Sequence, residues 1–200
     1  MALVAAYEYD VFISYRQTGS LPDWLFNHFY PNLLNLLNDN LDYPVSVFVD
    51  KNVRGGVEWP LELESALLRT RILVPVCSAQ YFQSRWCLAE WESMARREEL
   101  LGLRSAEQPQ GLIYPVLFAD SETFPDFARN RQMRNLKRWN CPHPSFQQTV
   151  RYVEFHDELA KIAIELTELI RRAPEWRPGW PVDRPVPALL PPTQLPRLGR

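Results

Sequence analysis

Four short apolar runs constrain this chain more than anything else in it. YDVFISY (9–15), VSVFVD (45–50), RILVPVC (71–77) and LIYPVLF (112–118) are each five to eight residues long and rich in β-branched and aromatic side chains. Runs this short and this uniformly apolar read as strands buried on both faces rather than as half-exposed ones. The intervals between them carry helical periodicity. Trp24, Leu25, Phe29, Leu33, Leu36 and Leu37 recur over 23–38, where Pro31 is expected to kink or divide the helix. Pro60 suits the first turn of a helix running to Arg69, and Ser84 the N-cap of one running to Leu101. A long amphipathic helix is expected over 150–172, with Val153, Leu159, Ile162, Ala163, Leu166, Leu169 and Ile170 on its apolar face. Strand alternating with helix implies an α/β fold, a parallel sheet sandwiched between two helix layers. Pro75 argues mildly against a central place for the third run. A fifth short strand is expected near 136–139, in a polar region (119–150) with little pattern.

From Pro174 the texture changes. Eight of the 18 prolines fall in 174–200, which is therefore read as a tail or linker, extended in part as polyproline II, behind a domain of residues 1–173. The net charge of −2 supplies no global field for nucleic acid or an anionic membrane. No segment approaches the ~20 apolar residues of a membrane span. The amino-terminal MALVAAYEYD lacks a signal peptide's positive start. Cys77, Cys87 and Cys141 offer neither a disulfide framework nor metal spacing, which suits a reducing, cytoplasmic setting. His28, His143 and His156 cluster with no cysteines, so no metal is expected.

In an open parallel sheet, ligands bind beyond the carboxyl ends of the strands. Those ends fall at Ser14-Tyr15-Arg16, at Asp50 with the Gly55-Gly56 loop, at Cys77-Ser78 and at Phe118–Asp120. The helix starting at Ser84 begins near the same edge, and its opening reads SRWCLAEWES (84–93). On a helical wheel Cys87, Leu88, Trp91, Met94 and Ala95 form one apolar face, with Glu90 and Glu92 on its two flanks. The wheel alone does not choose between the two acids. Glu92 has Arg96 at i+4, an ordinary surface pair. Glu90 has Trp86 and Met94 there instead, so it is the odder carboxylate and the candidate for a site, against the plainer reading of a rim glutamate. Each other candidate also has a plainer reading. Arg16 suits a pyrophosphate or is a solvated loop arginine. Trp59 stacks on a base or packs the next helix. Asp50 touches ribose or makes an Asx turn. Cys87 is core rather than nucleophile.

These residues carry a resemblance. YDVFISYR (9–16), FVD (48–50) with its glycine-containing loop, WPLELESALLRTRILVPVCS (59–78) and SRWCLAEW (84–91) resemble the Toll/interleukin-1 receptor (TIR) domain. The long first loop and helix and the WCxxE string are more similar to bacterial TIR proteins than to animal receptor adaptors. The resemblance implies a flavodoxin-like three-layer sandwich around a five-stranded parallel sheet. It implies cleavage of NAD⁺ at the nicotinamide–ribose bond, with NAD⁺ as substrate and no cofactor. Glu90 of Trp86-Cys87-Leu88-Ala89-Glu90 stands at the family's catalytic WxxxE position. Tyr15 and Arg16 match pocket-lining positions, and the 51–59 loop matches one that borders the nucleotide and mediates head-to-tail assembly. A defence or cell-suicide effector, working as a homo-oligomer and coupled through its tail to a sensor protein, is the implied role. The alternative is a non-catalytic TIR–TIR adaptor, since a fold guarantees no activity.

Overall fold

The computed structural model describes residues 6–50, 61–105, 111–119 and 122–185. Five strands form one parallel sheet in the order β2-β1-β3-β4-β5: β1 (Tyr9–Tyr15), β2 (Val47–Val49), β3 (Thr70–Cys77), β4 (Val116–Leu117) and β5 (Arg134–Asn135). Consecutive residues at the end of β1 show the layering. Ser14 meets Glu90 of helix α4 (Arg85–Leu100), whereas the Tyr15 ring meets Phe26 on the opposite side. Helices α1 (Leu21–Trp24), α2 (Tyr30–Asn40) and α6 (Val150–Arg172) share the Tyr15 side, where Asn32 donates to the Tyr152 hydroxyl and Arg171 to the Asn40 carbonyl. Helix α3 (Leu61–Leu68) and α4 share the other, joined by Arg97, which donates to the Leu67 carbonyl. A short α5 (Asp126–Arg129) precedes β5.

Pro31 does not divide its helix. The chain stays helical from Leu21 to Asn40 because Leu25–Phe29 forms a π turn just before the proline. Proline lacks the N–H that would reach Asn27 four residues back. The π turn shifts the bonding by one residue, so that Tyr30 N–H reaches Leu25, and the released Asn27 carbonyl accepts Gln147 Nε2 at 3.1 Å.

Nor does Pro75 keep β3 from the centre. Residue 75 lies opposite Ser14 in the β1 ladder, but an N–H there would point towards β4. That ladder misses one bond at this height: Leu73 bridges Ile113, pairing resumes at Val76 and Val116, and Pro115, level with the gap, turns its carbonyl to the Arg134 amide of β5. The expected 112–118 strand is thus one bridge plus two residues. The fifth strand lies at Arg134–Asn135, two residues before the expected place, and Lys137–Trp139 is a 3-10 turn that buries Trp139. Val153 is a further correction, being 61% exposed rather than on the buried face of α6.

Helix α4 is buried on two sides, since Ser93, Arg97 and Glu98 are buried along with Cys87, Trp91 and Met94. Its second cover comes from residues 176–184. Trp176 donates to the Leu68 carbonyl, the Asp183 amide to Ser93 Oγ at 2.8 Å, and Arg184 forks onto Glu64. Trp180 lies 4.9 Å from the Arg97 guanidinium, and burial lowers the Arg97 pKa to about 10. Arg96 pairs with Asp183 at 3.1 Å and not with Glu92.

Candidate active site at the carboxyl edge

The strand order places a switch point between β1 and β3, whose connections leave to opposite faces of the sheet. Ligands of such sheets bind at the crevice beyond those two strand ends. Three side chains converge there from three elements. Ser14 occupies the next-to-last position of β1, pointing to the α4 side. Tyr81 stands in the 3-10 turn Tyr81–Gln83 that follows β3, and Glu90 is in the second turn of α4. The start of α4 is fixed by Ser84, an N-cap whose hydroxyl accepts the Cys87 N–H. The burial of Cys87, Trp91 and Met94 then sets the helix rotation that turns Glu90 towards β1.

Ser14 Oγ donates to Glu90 Oε2 at 2.5 Å, and Ser14 Oγ lies 2.8 Å from the Tyr81 hydroxyl, which also reaches the Cys87 carbonyl at 3.3 Å. Glu90 is only 6% exposed, and no ion pair reaches it from the described residues. Burial raises its pKa to about 8; the Ser14 hydrogen bond works in the opposite direction, and the Asp50 charge adds to the rise. Cys87, pushed up to about 12 by burial and by the Glu90 charge, is a neutral thiol with its side chain in the core; Cys77 is likewise in the core, its thiol pushed up by burial.

The same helix holds a contrasting acid two turns on. Glu98 is 2% exposed, but it accepts the Leu112 and Ile113 amides and a two-pronged contact from Arg131 at 2.6 and 3.1 Å. That carboxylate is paired and satisfied, a tie between α4, the segment leading into β4 and the segment before β5. Glu90 is buried as deeply without a cation. One helix thus carries a structural acid and an acid whose ionisation is left costly.

The remaining candidates separate by position. The Tyr15 hydroxyl donates to the Asp50 carbonyl at 2.6 Å and Gln17 Nε2 joins it at 3.2 Å, so both tie the end of β2 to the end of β1. Burial, with the Asp50 charge, raises the Tyr15 hydroxyl to about 12. Arg16 is exposed just beyond β1, and its charge acts on the Cys87 thiol. Trp86 is half-buried on the first turn of α4, and Glu92 is exposed. Trp59, Gly55, Gly56 and the 51–59 loop lie outside the described residues. Ser14 and Tyr81 were not singled out from the sequence. A signal existed for Ser14: a hydroxyl in an otherwise apolar buried strand demands a partner. Among the described residues, no group of three or more His, Cys, Asp or Glu could hold a metal, and no helix is long and apolar enough to cross a membrane.

The fold and this edge define a doubly wound α/β domain with an acid buried at its switch point. A family model described as the TIR domain matches residues 11–163, and the chain belongs to that family. Among solved structures it is similar to the TIR domains of the activated Roq1 resistosome directly recognizing the pathogen effector XopQ. That match has 22% identity and a TM-score of 0.41, and covers 82% of this chain and 84% of that one. It is also similar to the TIR domain of the Toll-related receptor TRR-2 from Hydra magnipapillata, at 16% identity and a TM-score of 0.45, over 75% of this chain and 98% of that one.

Proposed function

We propose that this TIR domain is an NAD⁺ glycohydrolase or cyclase of the bacterial type, with Glu90 as its catalytic residue. The observation that carries the reading is a carboxyl buried at the switch-point crevice, held by a neutral hydroxyl and unneutralised by any cation of the described residues. Such a group suits a substrate that brings its own positive charge. At neutral pH, with a pKa of about 8, about nine-tenths of Glu90 is protonated, which avoids an isolated buried charge. A pyridinium ring entering the crevice favours the ionised form, so the carboxylate appears when substrate is there to pair with it.

The chemistry needs little more. The C1′–N bond breaks heterolytically, its electron pair leaves with nicotinamide, and that leaving group departs neutral without a general acid. Positive charge develops on the ribose, where a carboxylate near the ribose hydroxyls stabilises it. About 3–4 kcal/mol of such stabilisation is worth a few hundred-fold in rate. Water, or a nucleophile within the ADP-ribosyl group, then takes C1′. Arg16, just beyond β1, suits the pyrophosphate, while Tyr15 and Asp50 hold the wall and Trp86 supplies aromatic surface; Trp59 is assigned to stacking from the sequence alone.

The same reading takes the domain as 1–173, extended by the packed residues 174–185, as cytoplasmic and as active when copies assemble through contacts that include the 51–59 loop. The far tail links it to a sensor in a defence or cell-suicide response. The test is nicotinamide release from NAD⁺ at high protein concentration, with product analysis, for wild type and Glu90→Gln. Release by wild type and its loss in the variant are expected. Equal rates refute the role of Glu90, and silence of the wild type under assembling conditions assigns the chain to the adaptor class.

A further inference from the structure

We infer that Ser14, backed by Tyr81, is a positioning residue for Glu90. It fixes one carboxyl oxygen at the crevice and reverses its own hydrogen bond when the carboxyl changes protonation state. The inference rests on the proposed catalytic role of Glu90 for its consequence in turnover, but not for its geometry.

The geometry is a chain of three hydroxyl-bearing groups from three elements. Glu90 Oε2, Ser14 Oγ and Tyr81 Oη follow one another at 2.5 and 2.8 Å, and the chain ends on the Cys87 carbonyl at 3.3 Å. Ser14 is 2% exposed and Tyr81 fully buried, so solvent replaces neither hydroxyl. Each hydroxyl has one proton to give. With Glu90 ionised, Ser14 must donate to it, and Tyr81 donates to Ser14. With Glu90 protonated, the direction inverts: the carboxyl donates to Ser14, Ser14 to Tyr81, and Tyr81 to the Cys87 carbonyl. Either way every proton in the chain has an acceptor. A fixed donor such as a backbone N–H would serve the ionised oxygen but could not accept the proton of the neutral carboxyl. An alanine would leave the ionised oxygen without its donor. Because Oε2 is committed to Ser14, Oε1 is the oxygen offered to the ribose.

The groups facing this cluster are few among the described residues. Asp50 stands beyond β2, Arg16 follows β1, Cys77 ends β3, and Cys87 lies on α4 itself. Burial keeps both thiols and the Tyr81 phenol in their neutral forms. The ionisation of Glu90 is therefore the one that sets the direction of the chain, with Asp50 opposing it.

Two measurements test this. First, the ¹³C-carboxyl resonance of Glu90, assigned by its loss in Glu90→Gln, is titrated in substrate-free protein. Ser14→Ala should move the midpoint upward by about one pH unit or more, because a donor to the charged form is gone. Tyr81→Phe should move it the same way by less, and Ser14→Thr should restore the wild-type value. Second, kcat/KM for NAD⁺ cleavage in Ser14→Ala should fall about tenfold at pH 7, as follows from a one-unit shift, and recover above pH 9. A midpoint unmoved in Ser14→Ala, or moved equally in Ser14→Thr, overturns the inference. If Glu90→Gln cleaves NAD⁺ at the wild-type rate, the catalytic reading falls and the substrate-free titration still decides the role of Ser14.

Discussion

Replacing Glu90 by glutamine should stabilise this protein, and should do so increasingly as pH rises from 5 to 9. Glu90 titrates at 4.5 in an unfolded chain and at about 8 in the fold, because burial penalises the charged form. Between those values the folded protein retains a proton that the unfolded chain has released. Stability therefore falls as pH rises, from little effect at pH 4.5 to its full extent above pH 8. Integrated from pH 5 to pH 9, a shift of this size amounts to roughly 4 kcal/mol. Glutamine accepts the Ser14 hydroxyl through its amide oxygen and cannot ionise, so the variant lacks this fall. Urea denaturation of both proteins at pH 5, 7 and 9 isolates the contribution, since every other titrating group is shared. The two should agree within ~1 kcal/mol at pH 5. At pH 9 the variant should be ahead by several kcal/mol, or roughly 10 °C in Tm for a domain of this size. A difference that does not change with pH would refute the argument that Glu90 is buried and uncompensated, whatever the enzyme assay shows.

For wild-type activity, kcat/KM should rise with pH through about 8, the value for free protein, while kcat rises at a lower pH because bound cationic substrate favours the carboxylate; a pH-rate series on NAD⁺ cleavage checks it. Arg131→Leu should cost about 3 kcal/mol in urea denaturation, because Glu98 would keep two amide donors but lose its buried cation; a loss under 1 kcal/mol would show that the amides suffice. Trp180→Ala should cost about 3 kcal/mol by uncovering Arg97 and leaving a cavity beside α4, and Trp180→Phe less, read in the same way.

The sheet and most helices were legible because their signals are local. The apolar runs at 9–15 and 71–77, the Ser84 cap and the periodicity of 150–172 state their elements without reference to distant residues. Errors arose where a remote residue changes the local rule. Pro31 announces a break in the α pattern but not its form, a π turn whose released carbonyl Gln147 satisfies. Asp183 and Trp180 close over Ser93 and Arg97, a second cover that the helical pattern of 84–101 does not signal. The site shows the same division. That Glu90 lacks a helical neighbour of opposite charge is visible in SRWCLAEWES. That its partner is Ser14, 76 residues earlier, is a consequence of which face of β1 meets α4.

The gap opposite Pro75 and Pro115 has a mechanical consequence. Between β3 and β4 the backbone bonds at Leu73 and those at Val76–Cys77 are separated by the one that Pro75 cannot donate. Side chains brace that edge across the missing bond, Glu98 to Arg131 on one side and Tyr114 with Arg134 to Glu165 on the other. Pulled or heated, the sheet should tear along this proline seam, shedding β4 and β5 while the strands flanking the crevice stay zipped.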